Sequence, residues 1–248
     1  MKHSDIYRVH YHYTDKNFDL KLFYIAKYMQ ETALAAFDLL GEPRRELTEK
    51  NLAFFVSKIT FRFEGEIKKF DTIKVETWTL PPKSVNYVRN YRITNETTGV
   101  CAVRAASSWA LVNTKDMAIM HPNALSDQFN ALSTDTEELG FAPFKRINIP
   151  PGEPVFLFDK EVFYCDIDEN MHMNNTIYLD IAQNALHKMT RDLPSKKLTA
   201  LDISYESGAP EGERLSVWGT KAQAGTETEL YLRGKIGATN CFTAKAVY

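Results

Sequence analysis

Three polar side chains at alternating positions, Asp168, Asn170 and His172, stand just before a predicted helix in the second half of the chain. In extended backbone, alternate side chains project to the same side, so these three would face the same space. A helix N-terminus adds unpaired N–H groups and a partial positive charge, which suit a carbonyl oxygen that becomes an oxyanion. His172 is the one of six histidines in such surroundings, and an imidazole titrates near neutral pH.

A carboxylate can complete this group. Glu206 lies at the end of a predicted strand, Leu201–Tyr205, in the same half of the chain as His172. A carboxylate near an imidazole can act as a base on water or orient the ring. An ordinary interpretation also stands, because Asp and Asn before a helix are commonly caps and a single histidine is commonly structural. Spacing alone leaves catalysis and helix capping both open.

Other chemistries fit the same segment less well. Asp166, Asp168 and Asn170 begin like a calcium-binding loop, but Met171 stands where that loop needs glycine. The chain has no His-Glu-x-x-His or Cys-x-x-Cys string for zinc. It also lacks a Gly-x-Ser-x-Gly elbow, a phosphate-binding loop and a dinucleotide fingerprint. We therefore expect chemistry that uses no cofactor and no metal.

A cysteine–histidine nucleophilic pair is a further alternative, because Cys165 directly precedes the Asp–Asn–His run. Cys165 is one residue out of phase with Asp166 and Asp168, and it ends an apolar segment that is predicted to be a strand. Free cysteines in apolar strands behave as small buried hydrophobic residues. We therefore expect a buried structural thiol at this position.

The composition is that of a soluble globular protein: 248 residues, of which 44% are hydrophobic and 25% are charged. A formal net charge of −2 argues against a nucleic-acid-binding protein. No apolar run approaches the ~20 residues of a transmembrane helix. Three cysteines and the polar segment Met1–Asp15 predict a reducing compartment, the cytoplasm.

Two similar sets of elements surround the polar run. Apolar residues at three- and four-residue steps predict a helix over Leu20–Leu40, ended by Gly41. A period of two over 52–113 predicts antiparallel strands, with a hairpin turn at Asn95–Gly99. One long helix followed by antiparallel strands indicates an α+β unit in which a sheet wraps a helix. The second half repeats this order, with a strand near Val155–Tyr164, a helix near Asn175–Asp192, and strands at Leu198–Tyr205, Arg214–Thr220, Glu229–Ile236 and Cys241–Tyr248.

A shift in numbering aligns the two halves of the chain. We infer a duplicated unit, with halves at 1–133 and 155–248 and a proline-containing linker at 134–154. Two unrelated α+β segments of like composition are the alternative. The first copy has Asp19 where the second has His172, so we expect chemistry in the second copy and a binding wall in the first. A shift of 153 aligns Val9, Tyr11, Asp15, Asn17 and Gln30 with Val162, Tyr164, Asp168, Asn170 and Gln183, and a shift of 142 aligns Glu64 with Glu206.

The string Asp168-x-Asn170-x-His172-x-Asn174-Asn175, with Leu201–Ser207 downstream, resembles the acyl-acyl-carrier-protein (acyl-ACP) thioesterases of plant plastids and bacteria. The likeness covers nearly the whole chain and includes the predicted first helix. It implies a tandem hotdog fold, in which each long helix is cradled by an antiparallel sheet. It also implies hydrolysis of the thioester of fatty acyl-ACP, which releases the free fatty acid and terminates fatty acid synthesis.

The resemblance carries catalytic roles onto Asp168, Asn170, His172 and Glu206. It places catalysis in the second hotdog and most of the acyl-binding cavity in the first. Glu206 with His172 would activate a water, Asn170 and helix N–H groups would polarise the thioester carbonyl, and Asp168 would position Asn170 or the helix entry. Attack by Glu206 itself, through an anhydride, stays open. Plant members have a cysteine directly after the glutamate, whereas this chain has Ser207.

The resemblance also implies a partner, the acyl carrier protein, which is acidic in this family and predicts a basic docking surface. A tandem hotdog is a pseudo-dimer and can pair again as a homodimer. An acyl-CoA thioesterase, a hotdog 3-hydroxyacyl dehydratase and a non-catalytic acyl-binding protein are the alternative functions. The candidate docking residues are Lys188, Arg191, Lys196 and Lys197 in one group, and Lys83, Arg89 and Arg92 in another.

Overall fold

The computed structural model describes residues 2–39, 43–127, 135–168, 170–191 and 197–248. The chain divides into two compact units. The first comprises Met1–Leu20, Lys27–Ile59 and Glu64–Pro143, and the second comprises Lys21–Ala26, Thr60–Phe63 and Phe144–Tyr248. Within the described ranges, no helix has the length and apolar character that crossing a bilayer requires.

The first unit is built from a long helix and an antiparallel sheet. Its strands follow the spatial order β1-β3-β4-β5-β2. Helix α1 packs on the sheet through Tyr7 of β1, whose hydroxyl lies 3.0 Å from Thr32 Oγ1 and whose ring lies 4.6 Å from that of Tyr28. The elements that lie wholly or mainly in this unit are β1 His3–Arg8, α1 Leu22–Asp38, α2 Pro43–Glu49, β2 Leu52–Phe63, β3 Thr72–Thr79, β4 Asn86–Asn95 and β5 Val100–Asn113.

The second unit repeats this arrangement, with the spatial order β7-β10-β9-β8-β6. Helix α3 buries a stripe of mainly apolar residues at three- and four-residue steps, as an amphipathic helix does on a sheet. Tyr178 of this helix packs edge-on against Tyr205 and Phe242, each with a ring-centroid distance of 5.5 Å. The elements are β6 Val155–Glu161, α3 Asn175–Met189, β7 Ala200–Tyr205, β8 Arg214–Ala224, β9 Glu227–Ile236 and β10 Thr239–Val247.

The predicted α+β class and tandem hotdog architecture are confirmed. The predicted first helix forms within Leu20–Leu40, although Leu40 and Gly41 themselves lie outside the described residues. The predicted hairpin turn joins β4 to β5, where the Gly99 N–H donates to Asn95 O at 2.7 Å. Gly99 takes a φ of +74°, which a glycine adopts without steric cost.

The two units follow the same numbering shift that the sequence suggested. Helices α1 and α3 begin at Leu22 and Asn175, which are 153 positions apart. The short 3-10 helices Tyr11–Tyr13 and Tyr164–Asp166 differ by the same 153 positions. The described part of the predicted linker, 135–154, contains no helix or strand. The assignment of separate functions to the two halves stays a prediction.

Candidate active site

Asp168, Met171 and His172 lie in a turn that leads into α3. Ile167 and Met173 pair as an antiparallel bridge, and the Asp168 N–H donates to His172 O at 3.1 Å. The Met171 N–H donates to Asp168 O at 3.0 Å, and Met171 takes the left-handed φ of 61°. The expectation of extended backbone with side chains on one side is therefore wrong, because these hydrogen bonds reverse the chain direction.

The Asp168 carboxylate joins this turn to the start of the helix. Its Oδ1 accepts from the Asn170 N–H at 2.9 Å, and its Oδ2 accepts from Asn174 Nδ2 at 3.1 Å. Asn174 is the N-cap of α3, because its Oδ1 accepts from the Thr176 N–H at 2.9 Å. The cap is thus Asn174 itself, and Asp168 orients both the cap and the backbone of Asn170.

Two potential oxyanion donors remain near the helix start. The N–H groups of Thr176 and Ile177 both donate to Asn174. Of the first three helical N–H groups, that of Asn175 alone has no acceptor within the described residues. The exposed side-chain amide of Asn170 also has no hydrogen-bond partner among the described residues. The sequence predicted Asn170 and the helix N–H groups in general as oxyanion donors. The structure leaves the Asn170 side-chain amide and the Asn175 N–H as the candidates.

The His172 imidazole lies directly against Gly208. A Cβ built on Gly208 would lie 2.4 Å from His172 Cδ2 and 2.8 Å from His172 Cγ, closer than real Cβ contacts come. Only glycine therefore allows the ring to occupy this place. Sequence reasoning missed Gly208, although the numbering shift that aligns Glu64 with Glu206 also places Glu66 opposite it.

The Glu206 carboxylate follows β7 and is exposed. Its Oε1 accepts from the Thr243 hydroxyl of β10 at 2.5 Å, and its backbone N–H donates to Cys241 O at 2.9 Å. Within the described part of the chain, no hydrogen bond joins the Glu206 carboxylate to the His172 imidazole. The segment 206–208 thus carries the carboxylate at one end and supports the imidazole at the other.

Tyr178 and Ala209 tie the helix to this segment. The Met173 N–H donates to Ala209 O at 2.9 Å, and the Ala209 backbone also hydrogen-bonds the Tyr178 phenol. Burial raises the pKa of Tyr178, with smaller contributions in the same direction from Cys241 and Asp168. The phenol is therefore neutral at physiological pH, and its hydrogen bond to Ala209 connects α3 to this segment.

Cys165 lies in the 3-10 helix Tyr164–Asp166 and is exposed. The expectation of a buried thiol in a strand is wrong, because β6 ends at Glu161 and the chain leaves the sheet before Cys165. Asp166 is held by Lys160 and by the Phe163 N–H. No cluster of three or more His, Cys, Asp or Glu side chains suited to a metal ion is found in the ranges that the structure describes.

The candidate docking residues Lys83, Arg89 and Arg92 differ in their surroundings, and Lys83 is exposed. Arg89 donates to the buried Thr77 Oγ1 at 3.2 Å, and Arg92 pairs with Glu137 at 2.5 Å. Arg92 is thus paired with a carboxylate and Arg89 is bonded to a neutral hydroxyl, and the docking role of this group stays a prediction.

The other candidate group is described in part. Lys188 donates to Leu157 O, and Arg191 and Lys197 are exposed. Lys196 lies outside the described residues. This group stays a prediction.

Comparison with known proteins shows which family the chain resembles. Residues 1–124 match the acyl-ACP thioesterase N-terminal domain, and residues 157–245 match the acyl-ACP thioesterase C-terminal domain. A chloroplastic palmitoyl-acyl carrier protein thioesterase of Gossypium hirsutum is 24% identical over 235 residues, which cover 88% of this chain and 53% of that protein. The chain thus spans about half the length of this curated relative.

Two solved structures share the fold. An acyl-ACP thioesterase from Bacteroides thetaiotaomicron superposes with a TM-score of 0.84 at 17% identity, covering 99% of this chain and 97% of that chain. The 12:0-ACP thioesterase from Umbellularia californica gives a TM-score of 0.84 at 14% identity, covering 99% of this chain and 93% of that chain. Because the two matched domains together span most of the sequence, the protein belongs to the acyl-ACP thioesterase family.

Proposed function

We propose that the protein hydrolyses the thioester of fatty acyl-ACP, releasing the free fatty acid and terminating fatty acid synthesis. The observation that carries the proposal is the segment 206–208, which presents the exposed Glu206 carboxylate and seats the His172 imidazole on Gly208. A carboxylate on this segment and an imidazole in contact with it are suited to activating water. The matches to both domains of the acyl-ACP thioesterase family support the same reaction.

In the proposed reaction, water attacks the thioester carbonyl carbon and the C–S bond breaks. Glu206 and His172 take the proton of the attacking water, and the departing thiolate finally receives it. Glu206 Oε1 is held by Thr243, which leaves the other carboxylate oxygen to accept from water. A thiolate is a better leaving group than an alkoxide or an amide, so this route requires no metal. An anhydride formed by direct attack of Glu206 is the alternative route.

The developing oxyanion would be met by the Asn170 side-chain amide and the Asn175 N–H. Both donors lack acceptors within the described residues, and the Asn175 N–H lies at the start of α3, where the helix dipole favours negative charge. Asp168 would act as a positioning residue, since it holds the Asn170 backbone and the Asn174 cap. These donors supply stabilisation that strengthens as charge moves onto the oxygen.

The first unit would bind the acyl chain, as the family resemblance implies. Its apolar cluster contains Leu47, Leu52, Tyr87, Leu111 and Leu125, with Phe37, Phe54, Trp109, Met120 and Ala124 packed against them. Such side chains suit an alkyl chain because contact removes apolar surface from water. We further propose acyl carrier protein as the partner and the cytoplasm as the location, and pairing into a homodimer stays a prediction.

The test is free-thiol release from a panel of acyl-ACP and acyl-CoA substrates, measured for the wild type, Glu206→Ala and Glu64→Ala. We expect release that favours the carrier protein and a loss of about 10²-fold or more in kcat for Glu206→Ala. Glu64→Ala, the matched position of the first copy, should retain wild-type turnover. Release from acyl-CoA alone would indicate an acyl-CoA thioesterase. No release from any substrate would indicate an acyl-binding or dehydratase role.

A further inference from the structure

A row of polar side chains lies on the helix-facing side of the first unit's sheet. Tyr7 identifies this side, because its hydroxyl contacts Thr32 of α1 and its Cα pairs with that of Ile73. Directly paired residues and alternate residues of a strand share a face. Thr77 therefore faces the helix with Ile73, and Arg89, which donates to Thr77 Oγ1, faces it as well.

Arg89 is half-buried, and buried side chains lie beside it on both neighbouring strands. Cα pairing places Ser107 of β5 directly opposite Arg89, and Tyr91 is the next residue of β4 on the same face. Thr77, Tyr91 and Ser107 have relative exposures of 0%, 2% and 1%. Ser107 Oγ donates to Tyr91 Oη at 3.4 Å and accepts from Trp109 Nε1 at 2.6 Å. The hydroxyls around Arg89 are thus already engaged with one another.

The Arg89 guanidinium is a cation without a counter-charge. Its hydrogen bond to Thr77 Oγ1, 3.2 Å long, is to a neutral hydroxyl, and no carboxylate contacts it within the ranges that the structure describes. Of the five N–H donors of its guanidinium, one has an acceptor among the described residues. Desolvation by burial lowers the pKa of Arg89, and Tyr91 opposes that change. Arginine keeps its charge in proteins, so deprotonation does not relieve the cost of burying part of its side chain.

The next pair of residues along β4 and β5 on this face of the sheet is aromatic. Two residues along the strands, Tyr87 and Trp109 pair across β4 and β5 and belong to the cluster that contains Leu111. A wall shaped for a plain alkyl chain would continue this apolar surface. Arg89 instead places a planar set of donors beside it, which matches the geometry of a carboxylate.

We propose that Arg89 binds a carboxylate carried at the far end of the acyl chain, so that the preferred substrates are thioesters of dicarboxylic acids. This inference rests on the proposed function and on the placement of the acyl chain in the first unit. The carboxylate would supply the counter-charge that the described residues do not. An acyl chain ending in a methyl group would leave the half-buried guanidinium without a charged partner.

The test compares two acyl-ACP substrates of equal chain length, one ending in a methyl group and one in a carboxylate. We expect the wild type to favour the carboxylate-ended substrate by about 10- to 100-fold in kcat/KM, the range of a charged hydrogen-bonded pair. Arg89→Met should lose this preference while still hydrolysing the methyl-ended substrate. Arg89→Lys should keep part of it. Arg92→Met is the matched control, because Arg92 already pairs with Glu137, and it should keep the full ratio.

The ratio of kcat/KM for the carboxylate-ended substrate to that for the methyl-ended substrate, measured in one variant, separates recognition from stability. A merely structural role of Arg89 would lower both kcat/KM values together. An unchanged ratio in Arg89→Met, or a wild-type preference for the methyl-ended substrate, would overturn the inference. A carboxylate-independent preference for chains with a terminal hydroxyl would overturn it too.

Binding is measured separately from hydrolysis, so that failure of the proposed hydrolysis can be distinguished from failure of the carboxylate site. The probes are the monomethyl ester of a dicarboxylic acid and a plain fatty acid methyl ester of equal length. We expect the first to raise the Tm of the wild type more than the second, and equal effects in Arg89→Met. This result without thiol release from any substrate would refute the proposed hydrolysis and retain the carboxylate site. Equal effects on the wild type would refute the site.

Discussion

Two turns in this molecule, at 15–19 and 168–172, share one backbone design. The Asp15 N–H donates to Asp19 O at 2.9 Å, as the Asp168 N–H does to His172 O at 3.1 Å. The first carboxylate of each turn accepts the backbone N–H two residues on, at 2.8 Å from Asn17 and at 2.9 Å from Asn170. Phe18 and Met171 take the left-handed φ values of 65° and 61°.

The two turns differ in what meets their side chains. In the first unit, Asp19 pairs with Lys68 at 2.6 Å, and Glu64 is held by Arg104 Nε at 2.9 Å. In the second unit, His172 rests on Gly208, and Glu206 receives a hydroxyl hydrogen bond from Thr243. Cations thus pair with Asp19 and Glu64 in the first unit, whereas Glu206 in the second unit is bonded to a neutral hydroxyl. The two turns thus share a backbone conformation and differ in the partners of their side chains, and we propose that this difference places the chemistry in the second unit.

The largest expected effect comes from giving the second unit the ion pair of the first. Thr243→Arg places a guanidinium beside Glu206, as Arg104 stands beside Glu64. A carboxylate bound by arginine is a weak base for water, so we expect kcat to fall about 10²-fold or more. Thiol release from acyl-ACP measures the fall, and Thr243→Val is the control for loss of the hydroxyl alone. Equal activity in Thr243→Arg and the wild type would contradict the role of Glu206.

A smaller loss of activity is expected when a side chain is added at Gly208, where the His172 imidazole packs. Gly208→Ala introduces a Cβ that would lie 2.4 Å from His172 Cδ2, so the ring must move. We expect a 10- to 100-fold decrease in kcat/KM, since misplacement by about 1 Å can cost 10²-fold. Glu66→Ala, at the aligned position of the first unit, should leave thiol release unchanged. Full activity of Gly208→Ala would show that the position of the ring does not matter.

The smallest effect concerns the helix start and is a loss of stability. Asn174→Ala removes the side-chain acceptor of the Thr176 N–H and the partner of Asp168. We expect the free energy of unfolding to fall by about 1 kcal/mol. Urea unfolding monitored by circular dichroism checks this value. Lys21→Ala, at the aligned position before α1, is the control and should change stability by less.

The sequence predicted the elements whose apolar periodicity is strong. Helices α1 and α3 and strands β2 to β10 lie where an apolar period of 3.6 or 2 is continuous. Strand β1 was missed because its alternation is inverted: the exposed Ile6 points outward, whereas Asp5 is half-buried beside His3. Helix α2, Pro43–Glu49, was missed because its seven residues are mostly polar and form no apolar stripe.

The site was predicted by residue type and not by geometry. Asp168, Asn170 and His172 are brought together, but by a turn whose hydrogen bonds carry no periodic signal. Gly208 could not be found from its own type, since it matters only once His172 is placed on it. The exposure of Cys165 depends on where β6 ends, which apolar composition does not determine.

The central claim is that the second turn carries the chemistry and the first does not. The most direct test is thiol release from acyl-ACP by His172→Ala and Asp19→Ala, the two aligned positions. We predict a loss of about 10²-fold or more for His172→Ala and wild-type turnover for Asp19→Ala. Wild-type turnover in His172→Ala, or an equal loss in both variants, would contradict the account.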